Sequence, residues 1–211
     1  MTAVAATMGA MPGARTPYAE AARELLRQTL FGAARDELEK RPWSEVTMSD
    51  IAAAAGVSRQ TLYKEFGSRN EFGLALVINE GERFLGEVEV AVLRHVDDPR
   101  AAIGAALELF LATAGEDPLI RMLLSDDGSG GMLPFVTTRG MPVVQWATAR
   151  LAATIEEGWP QAPKADVVLL SESLVRLAIS YITAPTESPD TTASAVAKLL
   201  GPFIDRALGG A

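Results

Sequence analysis

The sequence predicts an all-α protein, with an N-terminal three-helix head carrying a helix-turn-helix, joined by one long helix to a C-terminal helical domain. Three observations predict it. Apolar residues recur at i, i+3 and i+4 through most of the 211 residues. Helix caps follow one another closely between Thr47 and Glu71. Ala and Leu dominate a chain that is 48% apolar but only 6% aromatic, a composition that favours helix over strand.

Taken in order, residues 1–17 (MTAVAATMGAMPGARTP) are broken by Gly and Pro and carry one basic residue, Arg15, so a disordered arm is expected rather than a signal peptide. The head spans 18–68. Tyr18, Ala22, Leu25, Leu26, Thr29, Leu30 and Ala33 form a stripe on helix 1, which Arg41-Pro42-Trp43 ends, and Trp43 is expected to plug the head core. Thr47 precedes Met48-Ser49-Asp50, a variant of the capping box, and opens a short helix that stops at Gly56. Ser58 caps a second helix, Arg59 to about Phe66, and Ser68 with Glu71 caps a third. Ile51, Ala52, Ala55, Val57 and Leu62 turn to a common interior. Arg59, Gln60, Thr61, Tyr63 and Lys64 are left outside as a basic, amide-rich face suited to a major groove.

The run TMSDIAAAAGVSRQTLYKEFGSRNEF resembles the DNA-binding signature of the TetR family of bacterial transcriptional regulators. The resemblance rests on Thr47, Gly56, Val57, Ser58, Thr61, Leu62, Tyr63 and Phe66, with Arg69 where a Lys is usual. It implies a dimer on a palindromic double-stranded operator, with repression as the family default and an inducer held in the C-terminal domain. Gln60 and Thr61 are expected to face bases and Arg59 a guanine edge or a phosphate. Thr47, Ser58, Tyr63, Lys64 and Arg69 are expected to grip phosphates.

The C-terminal domain, 69–211, begins with a helix from Arg69 to about His95 bearing Leu74, Val77, Ile78, Gly81, Phe84, Leu85, Val88 and Val92. Pro99 starts the next helix, to about Ala114, and a short one follows from Leu119 to Leu124. Residues 125–131 (SDDGSGG) read as a surface loop. Its two Asp lack the further ligands a metal needs, and no strand or Lys makes it a phosphate cradle. Helix is expected again from Pro134 to about Glu157.

Residues 164–184 are apolar on two sides. Val167, Leu170, Leu174, Leu177, Ala178 and Tyr181 make one stripe, and Val168, Val175, Ile179 and Ile182 the other, so this helix is expected to be sandwiched. The last helix, about Asp190 to Leu208, presents Val196, Leu200, Phe203 and Ala207. Together these two helices suggest half of a four-helix homodimer interface, built on Val168, Val175, Ile179, Ile182, Val196, Leu200 and Phe203.

Between head and interface lie Phe84, Val88, Leu107, Phe110, Leu111, Met122, Leu133, Phe135, Trp146, Leu174 and Leu177. Such a list is ordinarily core. In a family that encloses an inducer there, all of them but Leu133 become the candidate pocket for an apolar small molecule. The stretch DPLIRMLL followed by DDGSGGMLPFVTTRG is also similar, more weakly, to actinobacterial regulators placed beside alkane-oxidation genes. That likeness implies a long-chain fatty acid, with Arg121 and Arg139 as candidate carboxylate partners.

The net charge of −8 is unevenly divided. Residues 1–70 hold nine Lys and Arg against eight Asp and Glu, and 71–211 hold ten against nineteen. Phosphate attraction is felt over about 8–10 Å, so an acidic distal domain leaves the head free to bind DNA. No Cys is present, and the single His95 has no ligand cluster around it, so neither catalysis nor a metal or other cofactor is expected. No apolar run is long enough to span a membrane, and a cytoplasmic protein is expected. The alternative, a helical protein-binding adaptor, leaves the Arg59–Lys64 face unexplained.

Overall fold

The computed structural model describes residues 17–117, 120–121 and 131–209. The described residues form eight α-helices and a short 3-10 turn, without strands. These are α1 (Pro17–Leu38), α2 (Met48–Ala54), α3 (Arg59–Phe66), α4 (Arg69–Leu93), α5 (Pro99–Glu116), the turn at Leu133–Phe135, α6 (Met141–Gly158), α7 (Lys164–Thr183) and α8 (Pro189–Leu208). The expected arm lies outside the described residues up to position 16, as does most of the expected loop at 125–131. Pro17 is already the first residue of α1.

Local chemistry sets the boundaries in the head. The Thr47 amide donates to Asp50 Oδ2 at 2.9 Å while the Asp50 amide donates to Thr47 Oγ1 at 3.2 Å, so two orphan donors of α2 are satisfied reciprocally. The Ser58 hydroxyl accepts from the Thr61 amide at 3.0 Å, and the Ser68 hydroxyl from the Glu71 amide at 3.1 Å. Between the caps the chain reverses at Gly56 and Gly67, whose φ values of +70° and +78° an L side chain rarely adopts. The head core is Leu30, Ile51, Leu62, Phe72 and Leu76, with Phe66 packed edge-on to Phe31 and Phe72, and Trp43 stacked on Phe72.

Two expectations about helix faces are corrected. On α1, Tyr18 is 83% and Leu25 70% exposed, whereas Leu30, Phe31, Ala33, Ala34 and Leu38 are buried. The inward face keeps Leu30 and Ala33 of the expected stripe and turns toward Phe31, which packs on Phe66 and Phe72. Helix does not resume at Pro134. Residues 133–135 make one tight turn, and α6 starts at Met141, with Pro142 in its first turn.

In the larger domain α5 lies against α4, α7 and α8, while α6 packs on α4 and α7, so α4 belongs to both halves of the molecule. A second core gathers Val92, Ile103, Ile155, Leu170, Val196 and Ile204. The buried side of α4 also carries Glu80, only 3% exposed. Its carboxylate is paired with Arg35 of α1 and, at 3.1 Å, with Arg83. Arg35 reaches on to Asp117 at 3.1 Å, so one ion cluster joins the head, α4 and the end of α5.

Candidate nucleic-acid interface and effector cavity

The outer face of α3 is built by what its neighbours remove from it. Glu65, the one acid of this helix, turns inward and is held by Arg23 at 2.8 Å and Arg27 at 3.0 Å. Burial pushes the Glu65 carboxyl upward, but the two guanidinium groups outweigh it and hold the group below its ordinary value. What remains outside is Arg59, Gln60 and Lys64, all exposed, with Thr61 and Tyr63 half-buried beside them. The Arg59 guanidinium lies over the Tyr63 ring at 5.1 Å, and Ser58 Oγ and Thr61 Oγ1 share a hydrogen bond of 2.8 Å. Gln60 and Lys64 sit one turn apart on one face, and among the described residues no side-chain hydrogen bond or ion pair holds them back.

Thr47, Arg59, Tyr63 and Arg69 border one concavity between α2, α3 and the start of α4, which Val46, Met48 and the two serines Ser44 and Ser49 also line. The sequence reading did not single out these two serines, whose only signal was their position beside Thr47. Arg69 is placed differently from expectation. Its guanidinium lies over the Trp43 ring at 4.3 Å and donates to the carbonyls of Trp43 and, at 3.1 Å, Val46. Burial lowers its pKa from the ordinary guanidinium value. In this conformation Arg69 ties α4 to the α1–α2 connection, leaving less of it for a phosphate.

Above the head lies a cavity of about 150 Å³, walled by α4, α5, α6 and α7. Phe84, Val88, Leu107, Phe110, Trp146 and Leu174 line it as the sequence suggested, and among the described residues no charged side chain does. Three other proposed lining residues stand elsewhere. Leu111 and Leu177 belong to the second core, Phe135 packs on Gly73 in the head core, and Met122 lies outside the described residues. Arg121 and Arg139 are exposed and absent from the lining.

The stripe read as a dimer face is largely an inner face. Val175, Ile179 and Ile182 line the cavity, and Val196, 1% exposed, is buried inside the protomer's second core. Periodicity marked α7 as sandwiched but not what lay on each side. Of the residues proposed for the interface, Val168 is exposed, and Leu200 and Phe203 are half-buried against the second core. Leu169 and Leu199, which the sequence reading did not assign to an interface, are exposed large apolar residues on the same two helices.

The amino-terminal part of this architecture matches the description "Bacterial regulatory proteins, tetR family" over residues 30–76. Residues 98–202 match "Bacterial Tetracyclin repressor, C-terminal domain". The chain is 37% identical over 195 residues to the HTH-type transcriptional regulator AlkX of Mycobacterium tuberculosis, covering 92% of each protein. The chain belongs to the TetR family. Its structure superposes with a TM-score of 0.75 on the TetR family repressor AlkX of Dietzia sp. strain DQ12-45-1b, a protein implicated in biodegradation of n-alkanes. The two are 36% identical, with 86% of this chain and 96% of that one aligned. A TetR-family regulator of Pectobacterium atrosepticum shares the fold at 20% identity and a TM-score of 0.60, covering 93% and 99%. As a TetR-family member the chain is a DNA-binding transcriptional regulator and not an enzyme. Among the described residues no helix is long and apolar enough to cross a membrane.

Proposed function

We propose that the chain is a repressor that holds a palindromic operator as a homodimer and lets it go when an apolar small molecule fills the cavity. The observation that carries this reading is a shared wall. Val77, Ile120, Val136, Val143 and Trp146 line the cavity and also pack in or against the head core. A molecule that enlarges the cavity therefore presses on the residues that seat the head, without needing a long lever. Only a ligand that favours the non-binding head spacing can induce, and a tenfold release requires about 1.4 kcal/mol of differential binding.

On the DNA side, Gln60 and Thr61 read base edges, Arg59 reaches a guanine or a phosphate, and Thr47, Ser58, Tyr63 and Lys64 hold the backbone. Arg69 contributes chiefly by fixing α4 to the head. The dimer face is the outer side of α7 and α8, where Val168, Leu169 and Leu199 are exposed and Phe203 half-exposed.

A long-chain fatty acid is the inducer class the reading favours, and the alkane setting of the Dietzia relative agrees with a hydrocarbon tail. Among the described residues the lining offers a carboxylate no cation, so the acid would enter tail first with its head group left at the mouth. The experiment is a titration of preformed protein–operator complex with fatty acids of graded length, read by gel shift. Release that strengthens with chain length is expected, and no release at any length contradicts the reading.

A further inference from the structure

Trp146 stands where the cavity, the head core and α4 meet. The Cη2–Cζ3 edge of its ring abuts the bare backbone at Gly81, where an added Cβ would come within 2.6 Å of Cη2 and 2.8 Å of Cζ3. The glycine is needed there because any larger residue would occupy the place of the ring. The polar edge of the indole is turned outward, and Nε1 donates to Glu82 Oε1 at 2.9 Å. Arg150, one turn further along α6, donates to Glu82 Oε2 at 2.5 Å and to Glu89 Oε1 at 2.9 Å through Nε. The ring is thus seated from below by Gly81 and bracketed from outside by Glu82 and Arg150. The cavity it bounds, about 150 Å³, is of the size that in an engineered apolar case stays dry and takes up benzene. A long hydrocarbon chain does not fit in that space while the wall stays as it is.

We infer that Trp146, seated on Gly81 and bracketed by Glu82, is the ruler of this cavity: short uncharged apolar ligands bind without displacing it, and longer ones bind only by lifting it off α4. This rests on the cavity being the effector site proposed above, and it adds which residue sets ligand length and why occupancy alone does not induce. A chain that fits inside the closed wall leaves the head core undisturbed and binds silently. One that overfills the space lifts the ring, separates α6 from α4 at Gly81, and moves the residues shared with the head. The described lining carries no charge, which makes a primary alcohol the appropriate probe, because its length varies while its charge does not.

The test uses the full-length protein and a series of unbranched primary alcohols from butanol to dodecanol, with affinity measured calorimetrically and operator release measured by fluorescence anisotropy. In the wild type, affinity is expected to rise about fourfold per added methylene and then to stop rising at the length where release begins. In Trp146→Ala the rise is expected to continue past that length, and release is expected to weaken although the ligands bind more tightly. Gly81→Ala, which pushes the ring off its seat from the other side, should shift the break to a different length without removing it. Glu82→Gln, which keeps an acceptor for Nε1 but loses the ion pair with Arg150, should move it less. A break and a release threshold unchanged in both Trp146→Ala and Gly81→Ala overturn the ruler while leaving the effector site standing. No binding of any alcohol or fatty acid to the wild type overturns both. Cooperative thermal unfolding of each ligand-free variant shows that it is folded, and Gly81→Ala, which lifts the ring without ligand, is expected to bind the operator more weakly than the wild type.

Discussion

Removing Arg35 should cost far more than its half-exposed position suggests. The Glu80 carboxylate is almost wholly buried, its side chain 4% exposed, and is met by Arg35 from α1 and by Arg83, whose own side chain is 55% exposed. Arg35→Met leaves Glu80 with the solvated partner alone. Breaking a buried pair costs about 3–5 kcal/mol, and the surviving Arg83 should reduce this to about 2–4 kcal/mol. For a chain of this size that is a fall in midpoint temperature of roughly 4–16 °C. Glu80→Leu alone should cost less, since Arg35 keeps Asp117 and its side chain is 24% exposed. The informative variant is Arg35→Met with Glu80→Leu, in which no charge is left on the buried side of α4, that side becomes continuous, and Asp117 still accepts from the Ile120 amide at 3.1 Å. It should lie within about 1 kcal/mol of the wild type, well above the sum of the single losses. The assay is urea unfolding followed by circular dichroism at one fixed protein concentration, because subunit association shifts apparent stability. A double variant that loses the full sum of the two singles would refute the reasoning, and Glu80 would then be no more than a packed side chain.

Other consequences follow from the same geometry. Gln60→Ala should weaken operator binding by about 1–3 kcal/mol and relax preference at one base pair of each half-site. Lys64→Ala should weaken all DNA alike and flatten the salt dependence of binding, as competition binding at several salt concentrations would read. Leu199→Glu, on the outer side of α8, should split the dimer in analytical ultracentrifugation, whereas Val196→Glu should unfold the second core, and dimers surviving Leu199→Glu place the interface elsewhere. Glu65 is held below its ordinary value by Arg23 and Arg27, so its contribution is fully present above the unfolded-state pKa of about 4.3 and is lost as pH falls through the lower folded value. Glu65→Gln should therefore be less stable than the wild type at neutral pH, with the difference shrinking in acid unfolding curves below about pH 4.

The head was legible because its signals are local. Thr47 with Asp50, Ser58 with Thr61, and Gly56 each act within four residues, and all stand where the sequence placed them. The interior of the larger domain was legible only as apolar. Periodicity told that Val175 and Ile179 lie on a greasy side of α7, but a cavity wall and a subunit interface look alike in one sequence. Gly81 carried a readable sign, a glycine in the middle of an apolar stripe, while its partner Trp146 lies 65 positions away and only the fold brings them together. Glu80 was readable too, an acid one turn from both Leu76 and Phe84, and such an acid needs a buried cation. The contacts of Arg69 with the carbonyls of Trp43 and Val46 were not legible, because a basic residue at a helix start suits a phosphate as well as it suits a carbonyl.

If a ligand that overfills the cavity changes the spacing of the two heads, the distance between them reports it. A spin label at Asn70, exposed beside the recognition helix, reports that spacing in the dimer by pulsed electron resonance. On operator DNA the labels should settle to a narrow distribution consistent with recognition helices about 34–36 Å apart, one turn of the duplex. Adding a fatty acid long enough to release the operator should shift that distribution, and a shorter one that binds without release should not. The same distribution with and without a releasing ligand would contradict the account.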